Sequence, residues 1–66
     1  MYEYEVKLTK GTAIVYADQW IKEDNGNGKK VFNFYQYDRV MKQFQDDEVH
    51  AIQKVWPVMD GIFYNE

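Results

Sequence analysis

Apolar and polar residues alternate without a break at the start of the chain. Tyr2, Tyr4, Val6 and Leu8 take one set of positions and Glu3, Glu5, Lys7 and Thr9 the other. A period of two is the signature of a strand with one buried and one solvated face. Lys10-Gly11 then reads as a tight turn, with glycine supplying the positive φ of a hairpin. Thr12 to Lys22 is rich in β-branched and aromatic residues (Ile14, Val15, Tyr16, Trp20, Ile21). It reads as a long strand whose alternation falters at Ala17-Asp18-Gln19, the mark of a bulge or a bend. Asn25-Gly26-Asn27-Gly28 is the strongest turn signal in the chain, and Val31 to Tyr37 is the returning strand. Within it Phe32 and Phe34 share one face, and Val31, Asn33, Tyr35 and Tyr37 share the other.

From Asp38 onward two patterns compete. As a helix over 38–56, Asp38 is the N-cap, Met41, Phe44, Ile52 and Val55 line one face, and Pro57 stops it. That face carries Glu48 at its centre and displaces Val49. As strands, Val40 to Phe44 forms one, Asp46-Asp47-Glu48 makes a tight turn, and Val49 to Trp56 forms the last. The strand pattern is preferred, so the fold expected is an all-β small antiparallel barrel of about five strands. The alternative is an α+β domain with a three-stranded sheet and one helix over 38–56. Residues 1–57 form the single domain in this reading. The segment 58–66, with Val58, Met59, Ile62, Phe63 and Tyr64, is an apolar C-terminal extension. It is expected to add an edge strand or to exchange with a second copy in a homodimer.

The hydrophobic spacing also carries a resemblance. Ala17-Asp18-x-Trp20, Phe32-x-Phe34-Tyr35, Val40-Met41-x-x-Phe44 and Asp47-Glu48-Val49-x-x-Ile52 resemble a pattern common in small proteins of phages and prophages. Such chains are similar to SH3-like small barrels, in which a short 3₁₀ turn precedes the last strand. The resemblance covers roughly residues 13–55. It implies an SH3-like barrel and a phage or prophage accessory protein that binds and modulates another protein, and it transfers no functional residue.

Composition narrows the chemistry. The chain has no Cys, no Ser, one His (His50) and one Arg (Arg39). Nucleophilic catalysis needs an activated Ser, Cys or Lys beside a base and an orienting group, and a zinc site needs three or four close ligands. Neither inventory is present, so no enzyme, no metal and no cofactor are expected. Glu23, Asn25, Asn27 and Gly28 approach a calcium-loop pattern, but Phe34 stands where the closing bidentate Glu belongs. The plain hairpin turn accounts for the same residues. Asp46-Asp47-Glu48 reads as a solvated turn rather than an acid–base pair, and the isolated His50 as surface or interface packing.

The aromatic residues point to binding. Six Tyr, four Phe and two Trp are more rings than so small an interior hides, so an exposed aromatic surface is expected from Trp20, Tyr35, Tyr37 and Trp56. A 66-residue chain buries only about 60% of its unfolded surface, which favours self-association through Val58, Ile62, Phe63 and Tyr64. Net charge is −3, which opposes general attraction to phosphate or anionic lipid. A protein partner therefore ranks first. Single-stranded nucleic acid ranks second, with Tyr35, Tyr37 and a Trp as stacking platform and Lys29, Lys30 and Lys42 on the backbone. With neither an export signal nor a run of about 18 apolar residues, the expectation is a cytoplasmic protein with no membrane association.

Overall fold

A computed structural model describes residues 1–55, and these form an all-β domain. Six strands follow in order: β1 (Tyr2–Leu8), β2 (Gly11–Ala17), β3 (Gln19–Asp24), β4 (Lys30–Gln36), β5 (Arg39–Gln45) and β6 (Val49–Val55). A 3₁₀ turn over Asp46–Glu48 separates the last two. They build two antiparallel three-stranded sheets, β2-β1-β6 and β3-β4-β5. The calls on Trp56, Pro57 and the 58–66 extension lie outside the described residues.

The long strand expected over residues 12–22 is two strands. At Asp18 the chain bends out of the ladder with β1, and its N–H donates to the Tyr35 carbonyl of β4 at 2.7 Å. One continuous extended segment thereby serves both sheets, which raises the count from five strands to six. Among the described residues no ladder joins the sheets into a closed barrel. The helix alternative over 38–56 is excluded. Residues 39–45 pair with β4, and 49–55 pair with β1. The first turn is also displaced by one residue, with Thr9-Lys10 as its centre and Gly11 opening β2.

Two bulges interrupt the ladders, and the first puts apolar residues where the core needs them. Between β1 and β6 the register shifts so that Lys7 faces Ala51 and Leu8 faces Val49, leaving His50 as the extra residue. Strict alternation would put Val49 and Ile52 on opposite faces; the bulge lets both pack on the core. Between β4 and β5, Phe34 faces Lys42 and Tyr35 faces Val40, so Met41 is the extra residue.

The core lies between the sheets. Tyr4, Val6, Val15 and Ala17 of the first sheet meet Phe34 and Phe44 of the second. Phe34 is the centre: it is fully buried and makes edge-to-face contacts with Tyr4 (5.5 Å) and Phe44 (5.9 Å). Each such ring pair contributes about 0.5–1.5 kcal/mol beyond area burial. Asp24 and Asn25 side chains accept from the N–H groups of Gly26 and Asn27 at 2.8 and 2.9 Å. These are Asx turns, and with Gly26 and Gly28 at positive φ they close the β3–β4 connection.

Candidate binding face

Cross-strand pairing decides which side chains share a surface. Phe34 faces the core and pairs with Trp20, while Phe32 pairs with Lys22 and Phe44. Trp20, Lys22, Lys42 and Phe44 therefore stand on the core side of the second sheet. The opposite side carries Gln19, Ile21 and Glu23 from β3, Val31, Asn33 and Tyr35 from β4, and Val40, Gln43 and Gln45 from β5. The bulge sets Met41 beside Val40 across from Tyr35.

A hydrogen-bond ladder crosses this outer face. Gln43 Nε2 donates to Asn33 Oδ1 at 2.7 Å, and Asn33 Nδ2 donates to Glu23 Oε1 at 2.6 Å. The Tyr35 hydroxyl donates to the same Glu23 oxygen at 2.5 Å. Asn33 is only 7% exposed, the one buried polar side chain among the described residues. Both ends of its amide are satisfied, which removes most of the cost of burying it. A carboxylate only accepts, so it fixes the amide nitrogen of Asn33 toward Glu23 and the oxygen toward Gln43. The two donated bonds, first from Tyr35 and then from Asn33, hold the Glu23 carboxyl below the ordinary glutamate range. The same hydrogen bond raises the Tyr35 hydroxyl, because the phenolate could no longer donate to Glu23, and desolvation and the neighbouring negative charge add to it.

At one end of the face the β4–β5 hairpin turns through Tyr37-Asp38, with Gln36 facing Arg39. Tyr37 has φ +59°, and it is the only non-glycine residue with positive φ among those described. Its N–H donates to Asp18 Oδ2 at 3.0 Å, while Asp18 Oδ1 lies 3.6 Å from the N-terminal ammonium. The bend between the sheets thus pins the hairpin tip, and the Tyr37 ring projects from it 80% exposed. Ile21, Val40 and Met41 are exposed on the adjoining face.

The structure distributes the expected aromatic surface. Tyr35 and Tyr37 lie at the same end of β4, with the Tyr35 ring on the outer face. Trp20 is on the core side, edge-to-face with Phe32 at 5.5 Å, and is still 38% exposed as expected. Trp56 and the contact residues Val58, Ile62, Phe63 and Tyr64 lie outside the described residues. Lys30 opens β4 and Gln36 closes it, so Lys29 and Lys30 sit about 20 Å from the tip at strand rise. They border a shallow depression with Gln45, Asp46 and Asp47, where carboxylates accompany the ammonium groups. Lys42 caps the Phe44 ring on the core side, its Nζ 5.4 Å from the centroid. His50 Nε2 lies 3.3 Å from Thr9 Oγ1.

Sequence reasoning missed the Glu23–Asn33–Gln43 ladder, the exposed Ile21, Val40 and Met41, and the anchoring role of Asp18. One signal was available for the ladder. Asn is depleted in strands, so Asn33 between Phe32 and Phe34 marks a polar group that must find partners. Comparison with protein-family models, curated proteins and solved structures returned no match, and the face is read from its own geometry.

Proposed function

We propose that this chain is a non-enzymatic protein-binding module whose contact surface is the β4–β5 hairpin tip and the adjoining outer face of the second sheet. The observation that carries this reading is Tyr37. A bulky residue in the left-handed region is strained, yet here it is held by Asp18 and its ring is turned to solvent. Exposed tyrosine side chains on a fixed backbone are effective anchors for a protein partner because only two side-chain torsions lose freedom on binding. Ile21, Val40 and Met41 extend the apolar contact. The Glu23 carboxylate is held ionised by two donors, which makes it a weak base, and the Tyr35 hydroxyl beside it is held protonated by the same contact.

An SH3-like plan is part of the proposal. It draws support from the bent strand shared between sheets, the 3₁₀ turn before the last strand, and the placement of β6 beside β1. The separation of Lys29 and Lys30 from Tyr37 favours protein over single-stranded nucleic acid. The test is affinity capture with wild type and Tyr37→Ala in parallel, washed at low and at high salt. A protein retained by wild type at both salts and lost with Tyr37→Ala supports the reading. Nucleic acid recovered only at low salt would replace it with the phosphate-driven alternative.

A further inference from the structure

Four strands have an open side among the described residues: β2 and β6 in one sheet, β3 and β5 in the other. Open edges recruit further strands unless charge, proline or a bulge blocks them. β3 carries Lys22, Glu23 and Asp24. β5 carries Arg39 and Lys42 and the bulge at Met41, and β6 carries Lys54 and the bulge at His50. β2 differs from all three. Its sequence Gly-Thr-Ala-Ile-Val-Tyr-Ala has no charge and no proline, and its ladder with β1 runs without a register shift from Gly11 to Ala17.

The turn fixes which groups this edge offers. The two-residue Thr9-Lys10 turn makes Leu8 and Gly11 a hydrogen-bonded pair, and antiparallel alternation then directs Ala13, Val15 and Ala17 toward β1. The N–H and C=O groups of Thr12, Ile14 and Tyr16 point the other way. Asp18, the next in this even series, confirms the phase, since its N–H goes to β4. The side chains of Ile14 and Tyr16 are 48% and 53% exposed.

We propose that β2 is a homodimerisation edge, pairing antiparallel with β2 of a second copy about a two-fold axis at Ile14. Thr12 then faces the partner's Tyr16, and Ile14 faces the partner's Ile14. This register uses every open group of both strands, about six main-chain hydrogen bonds, and merges two three-stranded sheets into one of six. Antiparallel self-pairing is isologous and closes at two copies. It sets like residues opposite each other, so a strand without charge avoids the repulsion that opposes self-pairing in charged strands.

The proposal is independent of the Tyr37 surface, because the variants that test it leave the β4–β5 hairpin untouched. Light scattering on the full chain at high micromolar concentration is expected to give twice the 8.0 kDa of one chain. Ile14→Lys sets two ammonium groups face to face and is expected to return the mass to a single chain with an unchanged strand spectrum. The register is read separately by cysteine, which the native chain lacks. Opposed Cα atoms about 5.5 Å apart suit a disulfide, so Ile14→Cys cross-links to a dimer under mild oxidant while Thr12→Cys alone does not. A monomeric wild type, a dimer that survives Ile14→Lys, or cross-linking at 12 in preference to 14 overturns the proposal. Should Ile14→Lys fail to fold, the cysteine pair still decides it.

Discussion

Replacing Tyr37 by glycine should make the protein more stable. In its two-residue turn, Tyr37 has positive φ, a conformation that favours glycine and costs an L-residue about 1–2 kcal/mol through its Cβ. Glycine escapes that cost but adds freedom to the unfolded chain, which returns about 0.4–1 kcal/mol. The ring is 80% exposed, so little packing is lost. The bond to Asp18 uses the main-chain N–H and survives the change. The net gain is about 0.5–1 kcal/mol. At about 4–8 °C per kcal/mol for a domain of this size, the melting temperature rises by roughly 2–8 °C. Thermal melts of wild type, Tyr37→Gly, Tyr37→Asn and Tyr37→Ala test the cause. Gly should lead, Asn should follow because it tolerates the left-handed region, and Ala should gain nothing because it keeps the Cβ. A lower melting temperature for Tyr37→Gly would refute the reasoning by showing that the ring supports the fold. A more stable variant that also loses its protein partner would mean that the strain is retained for binding.

Phe34→Ala should remove about 3–5 kcal/mol, a large share of the roughly 3–10 kcal/mol open to a chain of this length, and a urea titration should show the midpoint collapse. Glu23 makes stability depend on acid. Its folded pKa lies below its unfolded one, so its contribution is complete above the ordinary glutamate value and is lost as pH falls through the lowered folded value. Melting temperature followed from neutral pH to pH of about 3 should fall less steeply in Glu23→Gln than in wild type; parallel slopes would show that the ladder is not coupled to folding. Tyr35 has the opposite sign. Its raised pKa gives a contribution present below the ordinary tyrosine value and lost as pH rises through the higher folded one, and Tyr35→Phe should flatten that alkaline limb.

Much of this architecture was legible wherever alternation and turn chemistry agreed. β1 shows strict alternation over seven residues, and its buried set Tyr4 and Val6 is the set the pattern assigns to the core. The Asn25–Gly28 turn and the strand after it follow from residues that supply positive φ or Asx bonds. The stretch from Asp38 was ambiguous because two bulges interrupt the period of two. Met41 and His50 each insert one residue, and the pairs Met41/Phe44 and Ile52/Val55, each three apart, mimic a helix face. A bulge is chosen by pairing with a neighbouring strand, and that partner is distant in sequence.

The binding face shows the same limit one level up. Alternation correctly set Phe32 and Phe34 against Asn33 and Tyr35, but it does not state which residues of β3 and β5 stand opposite them. That register places the Glu23 carboxylate within reach of both Asn33 and Tyr35, and it sends Trp20 to the core side, away from Tyr35. Asp18 shows why register matters for function. As a sequence position it is one polar residue interrupting a strand. In the fold its backbone turns the chain from one sheet into the other and its side chain holds the N–H of Tyr37. The bend that allows two sheets to enclose one core also sets the hairpin tip in the strained conformation that presents its tyrosine.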